Sequence, residues 1–185
     1  MKRRQFIKTS IAIGGTIASV SGGAYLLIDE TNKFDLKISS ALNKLELLSD
    51  KNLVQTGKWE LYKIFTHCAQ SVEYSMSKFP EHKSSFFKNT IGKLAFSLFS
   101  SKGKMTHSLS EPIPGSPLID STLDTTEALN HLKKSLTDFD NYKGELAPHF
   151  AYGELTKSDY EIAHVMHLYN HLQEVKSIQF TQTDA

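Results

Sequence analysis

Histidine is the residue type that stands out for chemistry in this chain. Of eight, four fall close together at His149, His164, His167 and His171. On a helix that turns about 100° per residue, the last three lie within about 60° of one another, with Tyr160 and Glu174 beside them. They border a stripe made by Val165, Leu168, Leu172 and Val175, which is where a cleft facing a helical core would open. His167 and His171 are spaced i, i+4, which stacks two imidazoles on adjacent turns, so that both can reach one ion at about 2.0–2.1 Å. Such pairs are common without a metal, and two donors hold an ion poorly. A third donor must come from another element, and His67 is the best supply in the chain. It lies off the apolar face of its own helical stretch, on a stripe shared with Glu60, Ser71 and Tyr74 that either meets solvent or lines a polar pocket. Trp59, the only tryptophan, reads as a core anchor. Cys68 adjoins His67 but points about 100° away on the wheel, so it reads as a buried, inert thiol.

These side chains need helices to carry them. Asp35 to Ser49 has helical spacing through Leu36, Ile38, Ala41, Leu42, Leu45 and Leu48. Trp59 to Ser77 has a broad apolar face at Leu61, Tyr62, Phe65, Cys68, Ala69, Val72 and Met76, with Thr56 as a candidate N-cap and Pro80 beyond its end. Phe86 to Ser100 gives a third pattern through Phe87, Ile91, Leu94, Ala95, Leu98 and Phe99, interrupted at Gly92. From Ser101 to Thr122 the glycines and prolines at 103, 112, 114, 115 and 117 exclude a helix or central strand, so this is a long crossover loop, either a lid or a strap. Thr125 to Tyr142 returns to helical spacing, and Thr156-Lys157-Ser158-Asp159 is a capping-box signature opening a last helix that runs to about Ser177. No period-two strand pattern stands out. The expected fold is all-α, an antiparallel bundle of four or five helices with one long connection.

The N-terminus predicts where the protein works. Met1 to Lys8 carries paired Arg3 and Arg4 with Phe6 and Ile7, and Ile11 to Ile28 is an uncharged run diluted by Gly14, Gly15, Gly22 and Gly23. This reads as a twin-arginine export signal over residues 1–30, followed by one domain at 31–185. The same segment is about as long as a minimal spanning helix, so residues 11–28 are also a candidate membrane tether. The expected location is periplasmic or otherwise extracytoplasmic, with the twin-arginine translocase as a partner. The net charge of +1 includes the signal's own basic residues. What remains has no basic face for nucleic acid, and that class of partner is excluded. A single cysteine cannot form an intramolecular disulfide, so stability must come from packing or a metal.

The stretch Gly57-Lys58-Trp59-Glu60-Leu61-Tyr62-Lys63-Ile64-Phe65-Thr66-His67, continuing through Ser71 to Met76, resembles the second-helix motif of the DinB/YfiT-like superfamily, in a branch known only as a domain of unknown function. Pro148-His149-Phe150, Gly153-Glu154-Leu155-Thr156 and the histidine-rich run from His164 to Leu172 resemble its C-terminal motifs in the same order. The resemblance implies a DinB-like four-helix bundle with a long crossover, and a divalent metal held by His67, His167 and His171. It also includes His149 and His164 as pocket-shaping residues. Three neutral imidazoles leave an open coordination sphere that suits Zn²⁺ or Ni²⁺.

Two functions follow. One is an exported metal-dependent hydrolase or thiol-transferase-like enzyme acting on a small molecule, with Glu60, Tyr74 and Glu174 as candidates for orienting ligands or moving protons. The other is a non-catalytic periplasmic or membrane-tethered bundle with a structural metal or none.

Overall fold

A computed structural model of the protein describes residues 36–119 and 124–178. The predicted signal, its tether at 11–28 and the last residues of the 101–122 connection lie outside that range. Among the described residues, no helix is long and apolar enough to cross a membrane.

The domain is mostly helical. Helix α1 spans Ile38–Ser49 and buries Ile38, Ala41 and Leu45, the spacing expected from its sequence. Strand β1, Asn52–Gln55, follows, and then α2, Leu61–Met76, which buries Ile64, Phe65, Cys68, Ala69 and Val72 along one side. A short turn of helix, α3, covers Ser85–Phe87 and passes through a π-helical turn at Lys88–Gly92 into α4, Lys93–Lys102. Helix α5 spans Thr125–Asn141, with the Asp124 side chain capping the Thr126 and Glu127 amides. Helix α6 spans Lys157–His171 and ends in a 3-10 turn, Leu172–Glu174, that leads into strand β2, Val175–Ile178. The broadest contact joins α2 to α5, while α1 packs on α5 and α6, and α6 also packs on α2 and α4. Their shared core contains Leu36, Leu45, Ile64, Phe65, Leu132, Leu136, Phe139, Tyr160, Val165 and Leu168.

Four expectations need correction. The fold is not free of strands: β1 and β2 pair antiparallel, Asn52 opposite Ile178 and Gln55 opposite Val175. Each strand has only four residues, too few for an alternating pattern to rise above a helical one. For the same reason the last helix stops at His171 rather than near Ser177, and Val175, read as a helical stripe residue, is a strand residue. Thr56 does not cap α2; its backbone N–H donates to the Glu174 carbonyl at 2.8 Å, extending the strand pairing, and Glu60 occupies the N-cap position without a side-chain hydrogen bond. Finally, α4 turns Leu94 and Leu98 to solvent and packs Phe96 and Phe99 inward. The π turn at Lys88–Gly92 rotates the apolar series, so one straight helical wheel from Phe86 selects the wrong face.

The capping box at the start of α6 forms as predicted. Thr156 Oγ1 accepts from the Asp159 amide and the Asp159 carboxylate accepts from the Thr156 amide, both at 3.1 Å. This fixes where α6 begins and therefore the rotation at which its histidines face α2.

Candidate metal centre

Helix α2 delivers His67 and α6 delivers His167 and His171. His67 and His171 are buried, and His167 is partly buried. One ring nitrogen from each lies within 4.8 Å of the others, and His67 Nε2 stands 3.1 Å from His167 Nε2. The ring centroids are 5.0, 4.9 and 4.8 Å apart for the pairs 67–167, 67–171 and 167–171. A tetrahedral ion with Zn–N bonds of about 2.0–2.1 Å places imidazole centroids about 5.2 Å apart and ligand nitrogens about 3.3 Å apart. The three rings therefore already stand close to the spacing of a shared ion.

The polar accounting points the same way. Both nitrogens of His171 and Nδ1 of His67 are buried without a hydrogen-bond partner. Leaving such groups unpaired costs about 1–3 kcal/mol each. Burial lowers all three basicities: His67 falls to about 3, chiefly from desolvation and then from the nearby His107, and His167 and His171 are also held well below the usual imidazole range. The rings are uncharged at neutral pH, which is the form that binds a metal. Three buried, converging, neutral imidazoles with orphaned nitrogens fit a divalent ion.

Trp59 closes one side. It is buried, stacks on His171 at 6.0 Å with planes 9° apart, and meets His67 edge-on at 5.0 Å. It is thus a wall of the site as well as a core anchor. On the other side His67 and His167 open into a cavity of roughly 270 Å³, together with Ser71 from α2, His107 and Ile113 from the loop after α4, and Tyr152 from the segment before α6. Of the α2 stripe, His67 and Ser71 line the pocket, while Glu60 is exposed and Tyr74 lies outside it.

His149 and His164 both line this cavity. Ser75 Oγ donates to the Val72 carbonyl at 2.6 Å, so the 3.0 Å contact from His164 Nε2 is a donation to Ser75 Oγ. His149 Nδ1 accepts from the Ala151 and Tyr152 amides at 3.1 Å, holding the turn that Gly153 closes at φ +78. These two histidines are engaged in structure that shapes the cavity wall.

Glu60, Tyr74 and Glu174 do not line the cavity, and among the described residues no hydrogen bond joins them to the three histidines. Glu60 accepts from Tyr62 at 3.0 Å, Tyr74 packs against Phe79, and the Glu174 carboxylate sits where a Cβ on Gly57 would have to go. Cys68 is fully buried and desolvation pushes its thiol up, as an inert thiol requires. The residue that sequence reasoning missed is His107. It lies alone in a loop, and only the fold brings its ring to 4.9 Å from His167 and 5.1 Å from His171.

The domain is mostly helical and gathers three imidazoles from two helices beside a cavity, a group that could hold a metal ion. The chain belongs to the family described as protein of unknown function DUF1569, whose model matches residues 31–178. No curated protein and no solved structure matches the chain.

Proposed function

We propose that this is an exported metalloprotein of the DinB-like four-helix-bundle type, in which His67, His167 and His171 hold one Zn²⁺ or Ni²⁺ ion. The single observation that supports it is the convergence of three imidazole donors within 4.8 Å, two buried and one partly buried, with both His171 nitrogens lacking a hydrogen-bond partner. An ion in that position supplies Lewis acidity and lowers the pKa of a water or thiol. The chain's own contribution is to hold three uncharged rings in place, to wall off one side with Trp59, and to leave a cavity on the other with room for a small molecule. That arrangement supports a metal-dependent hydrolase or thiol-transferase-like reaction. The candidates for proton movement that line the cavity are Glu111 and Lys83 rather than Glu60, Tyr74 or Glu174.

The twin arginines and the uncharged run to Ile28 support export through the twin-arginine translocase, which carries folded cargo and lets the ion be inserted first. Whether the run is removed or kept as a tether at 11–28, the domain then faces the far side of the membrane.

The test is metal content. Protein purified from outside the cytoplasm is expected to carry close to one Zn or Ni per chain, with loss of most of it in both His167→Ala and His171→Ala. A metal-free parent at ordinary metal supply would overturn the proposal. Export is checked alongside by Arg3→Lys combined with Arg4→Lys, which is expected to retain the chain in the cytoplasm; normal export of that variant would contradict the route.

The alternative, a non-catalytic bundle with a structural metal, is favoured by one observation: a fourth histidine, His107, stands beside the three.

A further inference from the structure

The loop after α4 is a strap with a histidine at its middle. Gly103, at φ 65, ends α4, and the chain then runs irregularly to residue 119. Met105 and Ile113 are 5% and 4% exposed and belong to the core cluster, so the strap is pinned on either side of His107.

The orientation of His107 is set by its own backbone. Its Nδ1 lies 2.7 Å from the Ser108 carbonyl oxygen, which can only accept, so Nδ1 carries the hydrogen and donates. That leaves Nε2 as a bare lone pair. Nε2 is buried and has no hydrogen-bond partner. An imidazole with one nitrogen fixed by a carbonyl and the other free is the usual form of a metal ligand, since the first bond sets the tautomer and orients the ring.

Its position matches. The His107 ring centroid is 4.9 Å from His167 and 5.1 Å from His171, the same spacing that the three α2 and α6 rings keep among themselves. Four imidazoles around one tetrahedral ion stand about 5.2 Å apart, centroid to centroid. His107 makes ring contacts with His167 and His171 but not with His67 and stays outside the three-donor group, so it is the one donor that must move inward, toward His67, to share the ion. The three helix-borne rings are set by α2 and α6, whereas His107 hangs on irregular chain and is the ring free to make that adjustment.

We propose that His107 Nε2 is a fourth imidazole ligand of the ion held by His67, His167 and His171. The inference rests on the metal-binding reading above and deepens it: the strap fastens onto the ion, and His107 occupies the position that faces the cavity. A ligand entering through the cavity competes with His107 for that position. No pairing between sequence neighbours reveals this, because His107 is 40 residues from His67 and 60 from His167 by their numbers.

The experiment uses the full chain loaded with Co²⁺ for its visible spectrum and with Zn²⁺ for X-ray absorption, comparing the parent with His107→Ala and His107→Gln. The parent is expected to show four nitrogen scatterers with imidazole outer-shell features, and an intense four-coordinate Co²⁺ band. Both variants should bind Co²⁺ about tenfold or more weakly, lose one imidazole, and shift the band. Added free imidazole should return the His107→Ala spectrum toward the parent, while leaving the parent unchanged. Limited proteolysis between residues 103 and 119 should be slowed by metal in the parent and not in the variants. If parent and both variants bind equally tightly with the same spectrum, His107 is not a ligand and the three-histidine site stands without it. If the parent takes up no metal at all, it is the underlying metal-binding reading that fails. Circular dichroism of the metal-free proteins separates either result from misfolding, and the glutamine variant, which keeps bulk in the strap, serves if alanine does not fold.

Discussion

A buried imidazole without a partner is tolerated at neutral pH in two ways, by remaining uncharged or by binding a cation. His67, His167 and His171 are arranged for the second. His149 and His164, in the wall of the same cavity, instead have hydrogen-bond partners and stay uncharged. Burial holds both near a pKa of about 3, and His149 is further disfavoured as a cation by His164 and His82. Unfolded, each titrates near 6.5. Because the folded values are depressed, their contribution to stability is complete above about pH 6.5 and is lost as pH falls toward 3. The unfolding midpoint of the metal-stripped protein should therefore drop steadily between pH 6.5 and 4. The buried rings of His67, His167 and His171 add to the same fall once the metal is removed, so a flat profile over that range, measured by chemical denaturation, would show that the fold does not keep its buried histidines neutral.

At the scale of elements, the site depends on the rotation of α6 and on the segment that precedes it. The backbone of 147–153 is tied to neighbours at three points: the Ala147 amide donates to the Ser75 carbonyl at 2.8 Å, the Lys83 amide donates to the Phe150 carbonyl at 2.9 Å, and Tyr160 Oη donates to the Ala147 carbonyl at 2.6 Å. Gly92 lets the π turn approach the same segment, since a Cβ there would land on the Ala151 carbonyl oxygen. Glycine to alanine inside a helix ordinarily stabilises by about 0.5–1 kcal/mol. Here Gly92→Ala should destabilise by about 1–3 kcal/mol, because backbone must move to admit the methyl. A rise in melting temperature for this variant would contradict the close approach. Thr156→Ala, which removes half of the capping box, should cost about 1 kcal/mol. The two together distinguish packing against 147–153 from the start of α6. Much of this layer was legible in the chain: the capping box, the irregular stretch at 103–119, which begins two residues later than the sequence suggested, and the apolar spacing of α1, α2 and α5 all reflect local rules. The two strands were not, because four residues give too short an alternation and their pairing joins Asn52 to Ile178 across the whole domain. The inward face of α4 was hidden by the π turn, which changes the angular register between Phe87 and Lys93.

At the scale of the whole molecule, the candidate metal centre is a product of topology. The i, i+4 spacing of His167 and His171 and the off-axis position of His67 were readable from the residues, and the fold brings all three together. His107 was unreadable, since a single histidine among glycines, serines and prolines carries no spacing; it acquires meaning only because Met105 and Ile113 anchor the strap across the open side of the site. The cavity between strap and helices leaves room for a small molecule beside the histidines, which is what the proposed reaction needs. The most direct test of the central claim is anomalous diffraction at the Zn or Ni absorption edge from crystals of the protein purified without chelator. The account predicts one peak within about 2.0–2.1 Å of a ring nitrogen of each of His67, His167 and His171. Metal bound elsewhere, with these three rings hydrogen-bonded to one another or to water and no peak between them, would contradict it.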